Sequence, residues 1–215
     1  MKIFGASLSP FVRKLMVYCA ERGIEYDHTP TFPMGPDGAD PDFVAASPMG
    51  KIPAMNDDGF TLADSSAIIH YLEVKHGAAL LPEEAKARGK AVFYDEVGDT
   101  VIPAVMGPIF INRVVMPKFM GKDGDSAAAD KAEKEDMPPL LAKLEAMMPE
   151  AGGFLVEGRL TLADIAVASP FVNLKHAGVA PDAAQHPRLA KWLAGIWSLP
   201  SFSAQIASEE KFLAG

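Results

Sequence analysis

The sequence predicts a small α/β domain followed by an all-helical domain. Over about the first 80 residues, short apolar segments alternate with helical patterns in the order β-α-β-α-β-β-α. The remainder carries only helical periodicity, and this change of pattern predicts two parts of different class. We place the α/β domain at residues 1–78, a linker at 79–85 and the helical domain at 86–215.

The chain opens with a predicted strand–helix–strand unit. Residues 1–5 and 24–29 are short apolar strands, and residues 10–22 have helical spacing between them. Pro10 suits the first helical turn, and Gly23 suits the position just after the last. A unit of this length predicts two parallel strands joined by a right-handed crossover.

The rest of the α/β domain is predicted from its turn residues. Residues 32–42 are rich in Pro, Gly and Asp and are predicted as a loop, and residues 43–46 as at most one helical turn. Residues 51–56 and 60–62 are predicted strands joined as a hairpin. A helix capped by Asp64 follows.

Four helices are predicted in the second part. The longest covers residues 85–120, and Pro103, Pro108 and Pro117 are expected to kink or break it. After a loop at 121–126, the apolar pattern predicts helices at 127–148, 160–174 and 187–198.

Composition and charge exclude several functions. The net charge is −8, with −4 on either side of Leu80, so neither part is a basic nucleic-acid module. The single cysteine, Cys19, rules out an internal disulfide and CxxC redox or zinc sites, and the histidines lack metal-ligand spacing. We see no signal peptide and no apolar run near the ~18–20 residues that span a bilayer. The sequence therefore predicts a cytoplasmic protein without a metal or membrane partner.

Serines stand where the first strand gives way to the first helix. Ser7 and Ser9 precede Pro10, and the N-terminus of a helix offers free N–H groups and a positive dipole. A hydroxyl there can donate to a thiolate and lower the pKa of the thiol. Alternatively, Ser9 only caps the helix.

Two further segments suit a peptide-like ligand. A cis Pro53 would leave the backbone of Ile52 free to pair with an extended ligand, and Lys51 beside it can meet a carboxylate. Ser65 opens a helix whose N-terminus is a carboxylate cradle, and Asp64 can accept from an ammonium. A plain turn and simple capping are the alternatives.

In order and spacing, the segments SPFVRK, SPMGKIPAM and LADSSAIIHYLE resemble the glutathione-binding domain of cytosolic glutathione S-transferases. In the helical half, GRLTLADIAVAS resembles the capping box that opens a helix in this family. The resemblance covers essentially the whole chain. It implies a thioredoxin-like N-terminal domain, a helical C-terminal domain, glutathione as co-substrate and a homodimer, with a role in detoxification.

The resemblance also implies the roles of five residues. Asp64 and Ser65 would hold the γ-glutamyl end of glutathione, and Lys51 would meet its glycine carboxylate. The backbone of Ile52, before a cis Pro53, would pair with the cysteinyl part.

The family resemblance further implies a serine-type, bacterial-like member. Ser9 would stabilise the thiolate of glutathione, and Ser7 is the competitor because Ser9 directly precedes the helix proline. Tyrosine-type chemistry is not expected, since the aromatic side chains of this region lack a hydroxyl. Cys19 is expected to be an inert, buried thiol.

An apolar small-molecule electrophile would lie between the two parts. Its predicted wall is Phe11, Met106, Phe110 and Arg113, with Phe119 and Phe171 as further members. Arg113 either contacts an anionic co-substrate or is a surface cation.

Other readings of the same residues stay open. Arg13 either helps the thiolate electrostatically or forms a structural ion pair. The same glutathione site also suits isomerisation, dehalogenation or ether cleavage, and a non-catalytic binding module is the alternative of a different class.

Overall fold

A computed structural model describes residues 1–32, 40–150 and 152–215. A four-stranded sheet has the order β2-β1-β3-β4. Its strands are β1 (Lys2–Phe4), β2 (Asp27–Thr29), β3 (Ala54–Asp57) and β4 (Phe60–Ala63). β1 runs parallel to β2 and antiparallel to β3, and β3 pairs antiparallel with β4. The predicted parallel pair and hairpin are both confirmed, with strand ends that differ by up to three residues.

Three helices accompany the sheet: α1 (Pro10–Arg22), α2 (Pro41–Ala46) and α3 (Ser65–Lys75). α1 has the predicted bounds because Ser9 caps its start and Gly23, with φ 61°, ends it in the left-handed conformation. The crossover helix α1 therefore begins directly after the end of β1, where the two serines lie.

The segment before α2 corrects part of the predicted loop. Asp40 caps α2 by accepting from the amide of Asp42, and Pro41 occupies the first turn. The helix therefore has six residues instead of a single turn starting at residue 43. The rest of the predicted loop, at 33–39, lies outside the described residues.

Within the described residues, the second part consists of helices, their connections and one isolated β-bridge between Val156 and Arg159. Its α-helices are α4 (Ala85–Glu96), α5 (Ile102–Phe110), α6 (Met116–Phe119), α7 (Ser126–Lys131), α8 (Met137–Met147), α9 (Leu162–His176), α10 (Pro187–Trp197) and α11 (Pro200–Ala214). Three π-helical segments join neighbours without a break, at Val97–Val101, Ile111–Val115 and Ala132–Asp136. The final helix, α11, has no counterpart among the predicted helices.

The expected breaks in the long helix are absent. Ala85–Phe119 is one helical run of 35 residues, although it contains Pro103, Pro108 and Pro117. Pro103 and Pro117 lie in the first two positions after a π-helical segment, where a missing N–H costs little. Within these segments, Thr100 and Asn112 donate to the carbonyls of Glu96 and Pro108.

This long helix also corrects the expectation that no apolar segment approaches the length needed to span a bilayer. By length and composition alone, Ala85–Phe119 is long and apolar enough to cross a membrane. In the fold it packs against α9, and Gly98 lies directly against that helix. A Cβ at Gly98 would lie 2.5 Å from the carbonyl oxygen of Ala166, so only glycine allows this distance.

The helix α9 is the centre of the core. All its residues from Leu162 to Leu174 are buried, and it packs against α1, α4 and α5. The predicted capping box is present, with the Asp164 carboxylate accepting from the Thr161 amide. One apolar cluster runs through residues of α1, α3 and α9, so the two parts share a core.

Candidate functional site

The loop after β1 and the turn before β3 are in direct contact. Gly5 has a φ of 147°, and a Cβ there would lie 2.5 Å from Val12 Cγ2 and 3.2 Å from Ile52 Cβ. The amide of Gly5 donates to Thr29, and its carbonyl bonds the His28 ring at 2.8 Å. The loop of residues 5–9, called the serine loop below, therefore lies directly against the Ile52–Pro53 turn at Gly5, and its two hydrogen bonds tie it to β2.

Ser9 lies at the N-terminus of α1. Its Oγ accepts from the amide of Val12 at 3.5 Å, which is a long capping bond. The hydroxyl hydrogen is not used by this bond and can be donated to a ligand. Ser7 is similarly half-buried, and its hydroxyl bonds no residue within the described ranges. The geometry leaves both serines available.

The peptide bond between Ile52 and Pro53 is cis, as expected. Ser47 holds the preceding turn, since its hydroxyl donates to the Lys51 carbonyl at 2.7 Å and accepts from the Lys51 amide at 2.8 Å. The Lys51 side chain is exposed and pairs with no carboxylate in the described part of the chain. It is therefore free to meet a carboxylate from solution.

Asp64 links this turn to the start of α3. Its amide donates to the carbonyl of Pro53 at 3.2 Å, and its carboxylate caps the helix at Ala67. Its φ of 83° is unfavourable for a side chain other than glycine. Such strain is concentrated at ligand sites, where the surrounding structure enforces it.

A buried charge cluster lies below the N-terminus of α3. The hydroxyls of Ser65 and Ser66 donate to Asp99 Oδ2 at 3.5 and 3.0 Å. Lys14 Nζ donates to Asp99 at 2.5 Å and to Asp95 at 2.8 Å. Two carboxylates thus share one ammonium at the base of the predicted cradle.

The sequence reasoning missed this cluster. Burial raises the pKa of Asp99, Lys14 opposes the rise, and nearby Asp95 adds to it. The available signal was the spacing of Asp95 and Asp99, which lie four residues apart and so on one face of the helical run.

Arg13 forms an ion pair inside the protein. Its guanidinium donates to Glu209 at 2.8 and 2.6 Å, and both side chains are fully buried. Burial tends to raise the pKa of Glu209, but Arg13 and His176 outweigh it and the pKa is lowered. Of the two roles considered for Arg13, the geometry is that of the structural ion pair.

The predicted electrophile wall is only partly assembled. Phe110 is buried beside Leu8 and Val114, next to the serine loop. Met106 instead belongs to the main core and is 2% exposed, because it lies on the inner face of α5. Phe171 is likewise in that core. Phe11 is half-buried in the first turn of α1.

Arg113 is held by two acidic side chains. It pairs with Asp130 at 2.9 Å and Glu133 at 2.5 Å on the neighbouring helical segments. These ion pairs favour the alternative, a surface cation, and the place of Arg113 in the electrophile pocket stays a prediction.

A row of three rings continues the wall. Phe119 stacks on Phe212 with centroids 5.6 Å apart and on Phe32 at 6.0 Å. Phe119 also packs against the cluster that contains Leu8 and Phe110. Phe32 and Phe212 were missed because they come from a loop and from α11, which the sequence pattern did not assign.

Cys19 and Tyr18 are unsuited to reaction. Both are fully buried in the core, and burial raises the pKa of the Cys19 thiol to about 12. Tyr18 donates to Glu73 at 2.8 Å, and burial together with this bond raises its pKa.

Comparisons with known proteins agree with this fold. The model described as the N-terminal domain of glutathione S-transferase matches residues 8–75, and the C-terminal domain model matches residues 111–209. The chain belongs to the glutathione S-transferase family. The expected family, the two-part fold and a glutathione S-transferase enzyme are confirmed.

Individual relatives of the family cover nearly the whole chain. Glutathione S-transferase 4 of Zea mays is 28% identical over 94% of this chain and 89% of its own. The uncharacterized GST-like protein YibF of Escherichia coli is also 28% identical, over 94% of this chain and 96% of its own. A glutathione S-transferase crystal structure from Rhodospirillum rubrum superposes with a TM-score of 0.83 at 25% identity, over 95% and 90% of the two chains.

Proposed function

We propose that this protein binds glutathione, lowers the pKa of its thiol and directs the thiolate at an apolar electrophile. The observation that best supports this proposal is the contact of three segments of the α/β domain: the serine loop, the turn at Ile52–Pro53 and the start of α3. Each supplies a group for a different part of glutathione. The thiol, the peptide and the amino-acid end can therefore be held at once.

The amino-acid end of glutathione fits the start of α3. Free N–H groups at this helix start suit its α-carboxylate, and the Ser65 hydroxyl can join them by leaving its long, 3.5 Å bond to Asp99. Asp64 suits its ammonium. We assign Lys51 to the glycine carboxylate and the Ile52 backbone to the cysteinyl part.

Ser9 is the residue we assign to the thiolate, in a serine-type mechanism. A hydroxyl donor and the helix dipole both favour the charged form of a thiol. A pKa lowered by about two units from 8.5 makes the thiolate the major form near pH 7, and each unit corresponds to about 1.4 kcal/mol. Bound next to the electrophile, the thiolate also gains from proximity.

The electrophile is an apolar molecule, held by Leu8, Phe110 and Phe119. These side chains lie beside the serine loop, so a bound electrophile would face the sulfur. We also propose a cytoplasmic homodimer that serves detoxification. Exposed apolar side chains on β4 and α3, Phe60 and Val74, support a partner surface.

Substitution of the two serines tests the assignment. Ser9→Ala should raise the pKa of the bound thiol by about one unit or more while glutathione affinity changes little, since only the thiolate loses a donor. Ser7→Ala is the matched control. If Ser7→Ala raises the thiol pKa and Ser9→Ala does not, the roles of the two serines are exchanged.

A further inference from the structure

The carbonyl between the two serines is held from the helical part. Asn173 Nδ2 on α9 donates to the Leu8 carbonyl at 2.9 Å, and Arg13 Nη2 adds a longer bond at 3.4 Å. Asn173 and Arg13 are themselves joined, because Arg13 Nη1 donates to Asn173 Oδ1 at 2.7 Å. Both side chains are buried, so water does not compete for these bonds.

This carbonyl belongs to the same rigid peptide unit as the amide of Ser9. The Ser9 amide donates to the Ala6 carbonyl at 2.9 Å. The Leu8–Ser9 peptide plane is therefore fixed at its oxygen by Asn173 and at its nitrogen by Ala6. Because a peptide unit is planar, these two bonds determine where the Ser9 side chain leaves the backbone.

The remaining bonds of Arg13 anchor this contact in the core. Arg13 Nη1 also donates to the Ser169 carbonyl at 2.7 Å, and its other nitrogens bind Glu209 on α11. Glu209 in turn bonds His176 at 2.8 Å. The serine loop is thus tied to α9 and α11 through fully paired buried groups, which gives the loop a single position.

We propose that Asn173 is a positioning residue for thiol activation: it orients the Leu8–Ser9 peptide so that the serine hydroxyl is directed at the sulfur of bound glutathione. Asn173 does not touch the ligand and acts through the backbone. This inference rests on the proposed function. It adds that a residue of the helical part controls the chemistry of the glutathione site.

The test uses Asn173→Ala and Asn173→Asp in the full chain. Asn173→Asp keeps the shape and the acceptor for Arg13 but loses the donor to Leu8. Both variants should raise the pKa of bound glutathione by about half to one unit, a three- to tenfold loss of thiolate below that pKa. Affinity for S-methylglutathione, which has no thiol to ionise, should stay within about twofold.

Tyr94→Phe is the matched control for lost stability. Tyr94 also donates from a helix to a backbone carbonyl, that of Met147 at 3.2 Å, but it lies outside the serine loop. The Tyr94→Phe variant should have a lower melting temperature and leave the pKa of the bound glutathione thiol unchanged. If the Asn173 variants retain the wild-type thiol pKa, Asn173 is only structural and the inference is overturned. If the wild-type protein itself fails to lower the thiol pKa, the proposed function fails with it.

Discussion

Arg13 and Glu209, 196 residues apart in sequence, form a bidentate ion pair that joins α1 to α11 in the protein interior. Neither side chain is exposed to solvent. A charged group that loses its buried partner is left desolvated and uncompensated, so this pair couples the last helix of the chain to the serine loop.

Glu209→Gln should lower the free energy of unfolding by about 3 kcal/mol, because Arg13 stays buried without its counter-charge. Denaturant unfolding measures the loss. Glu210→Gln is the control, since the neighbouring carboxylate pairs with Lys175 at the surface and should contribute under about 1 kcal/mol. Equal losses in the two variants would contradict the importance of the buried pair.

The same pair predicts a pH dependence of stability. The pKa of Glu209 is lowered in the folded protein: burial raises it, and the charge of Arg13 is the largest of the effects that lower it. The contribution of Glu209 to the free energy of unfolding is therefore complete above the pKa of this residue in the unfolded chain, about 4.3. It is lost as the pH falls through the lower pKa of the folded protein. The stability difference between wild type and Glu209→Gln should shrink below about pH 4. A difference that stays constant down to acid pH would contradict this.

Ser65→Ala should weaken glutathione binding by about tenfold, since it removes the hydroxyl that we propose turns from its long bond to Asp99 to the α-carboxylate of glutathione. Titration calorimetry measures the affinity. Ser203→Ala, at an exposed serine on α11 that bonds only its own helix, is the control and should bind as wild type does. An unchanged affinity in Ser65→Ala would show that the start of α3 is not the carboxylate cradle.

Phe119→Ala should raise the KM for an aryl halide about threefold to tenfold while the KM for glutathione stays the same, because stacked rings lose contact with the electrophile alone. Phe93→Ala serves as control: this ring is exposed on α4 and pairs only with Tyr94 among the aromatic side chains described. A rise in both KM values, or in neither, would remove Phe119 from the electrophile wall.

Local patterns predicted the elements that carry the site. Ser9, Pro10 and Gly23 specify the two ends of α1 by capping and backbone preference, which act within a few residues. The cis bond before Pro53 and the helix start at Ser65 could be predicted for the same reason. The same reasoning failed at Pro103, Pro108 and Pro117, which lie within one continuous helical run: Pro103 and Pro117 directly follow the start of an α-helix after a π-helical segment, and Pro108 lies inside α5.

Contacts between distant segments could not be predicted from these patterns. Nothing near Lys14 in sequence indicates that Asp95 and Asp99 lie within 3 Å of it. Asn173 likewise reads as an ordinary polar residue of α9 until the fold brings it to Leu8. Such pairs depend on how α1, α4 and α9 pack together in the apolar core that the two parts share, and this packing involves residues far apart in sequence.

Activation of the thiol of bound glutathione is measured by the ultraviolet absorbance of its thiolate as a function of pH. The site described here predicts a bound pKa at least about one unit below the 8.5 of a free thiol. Binding with an unshifted pKa, or no binding at millimolar glutathione, would contradict it.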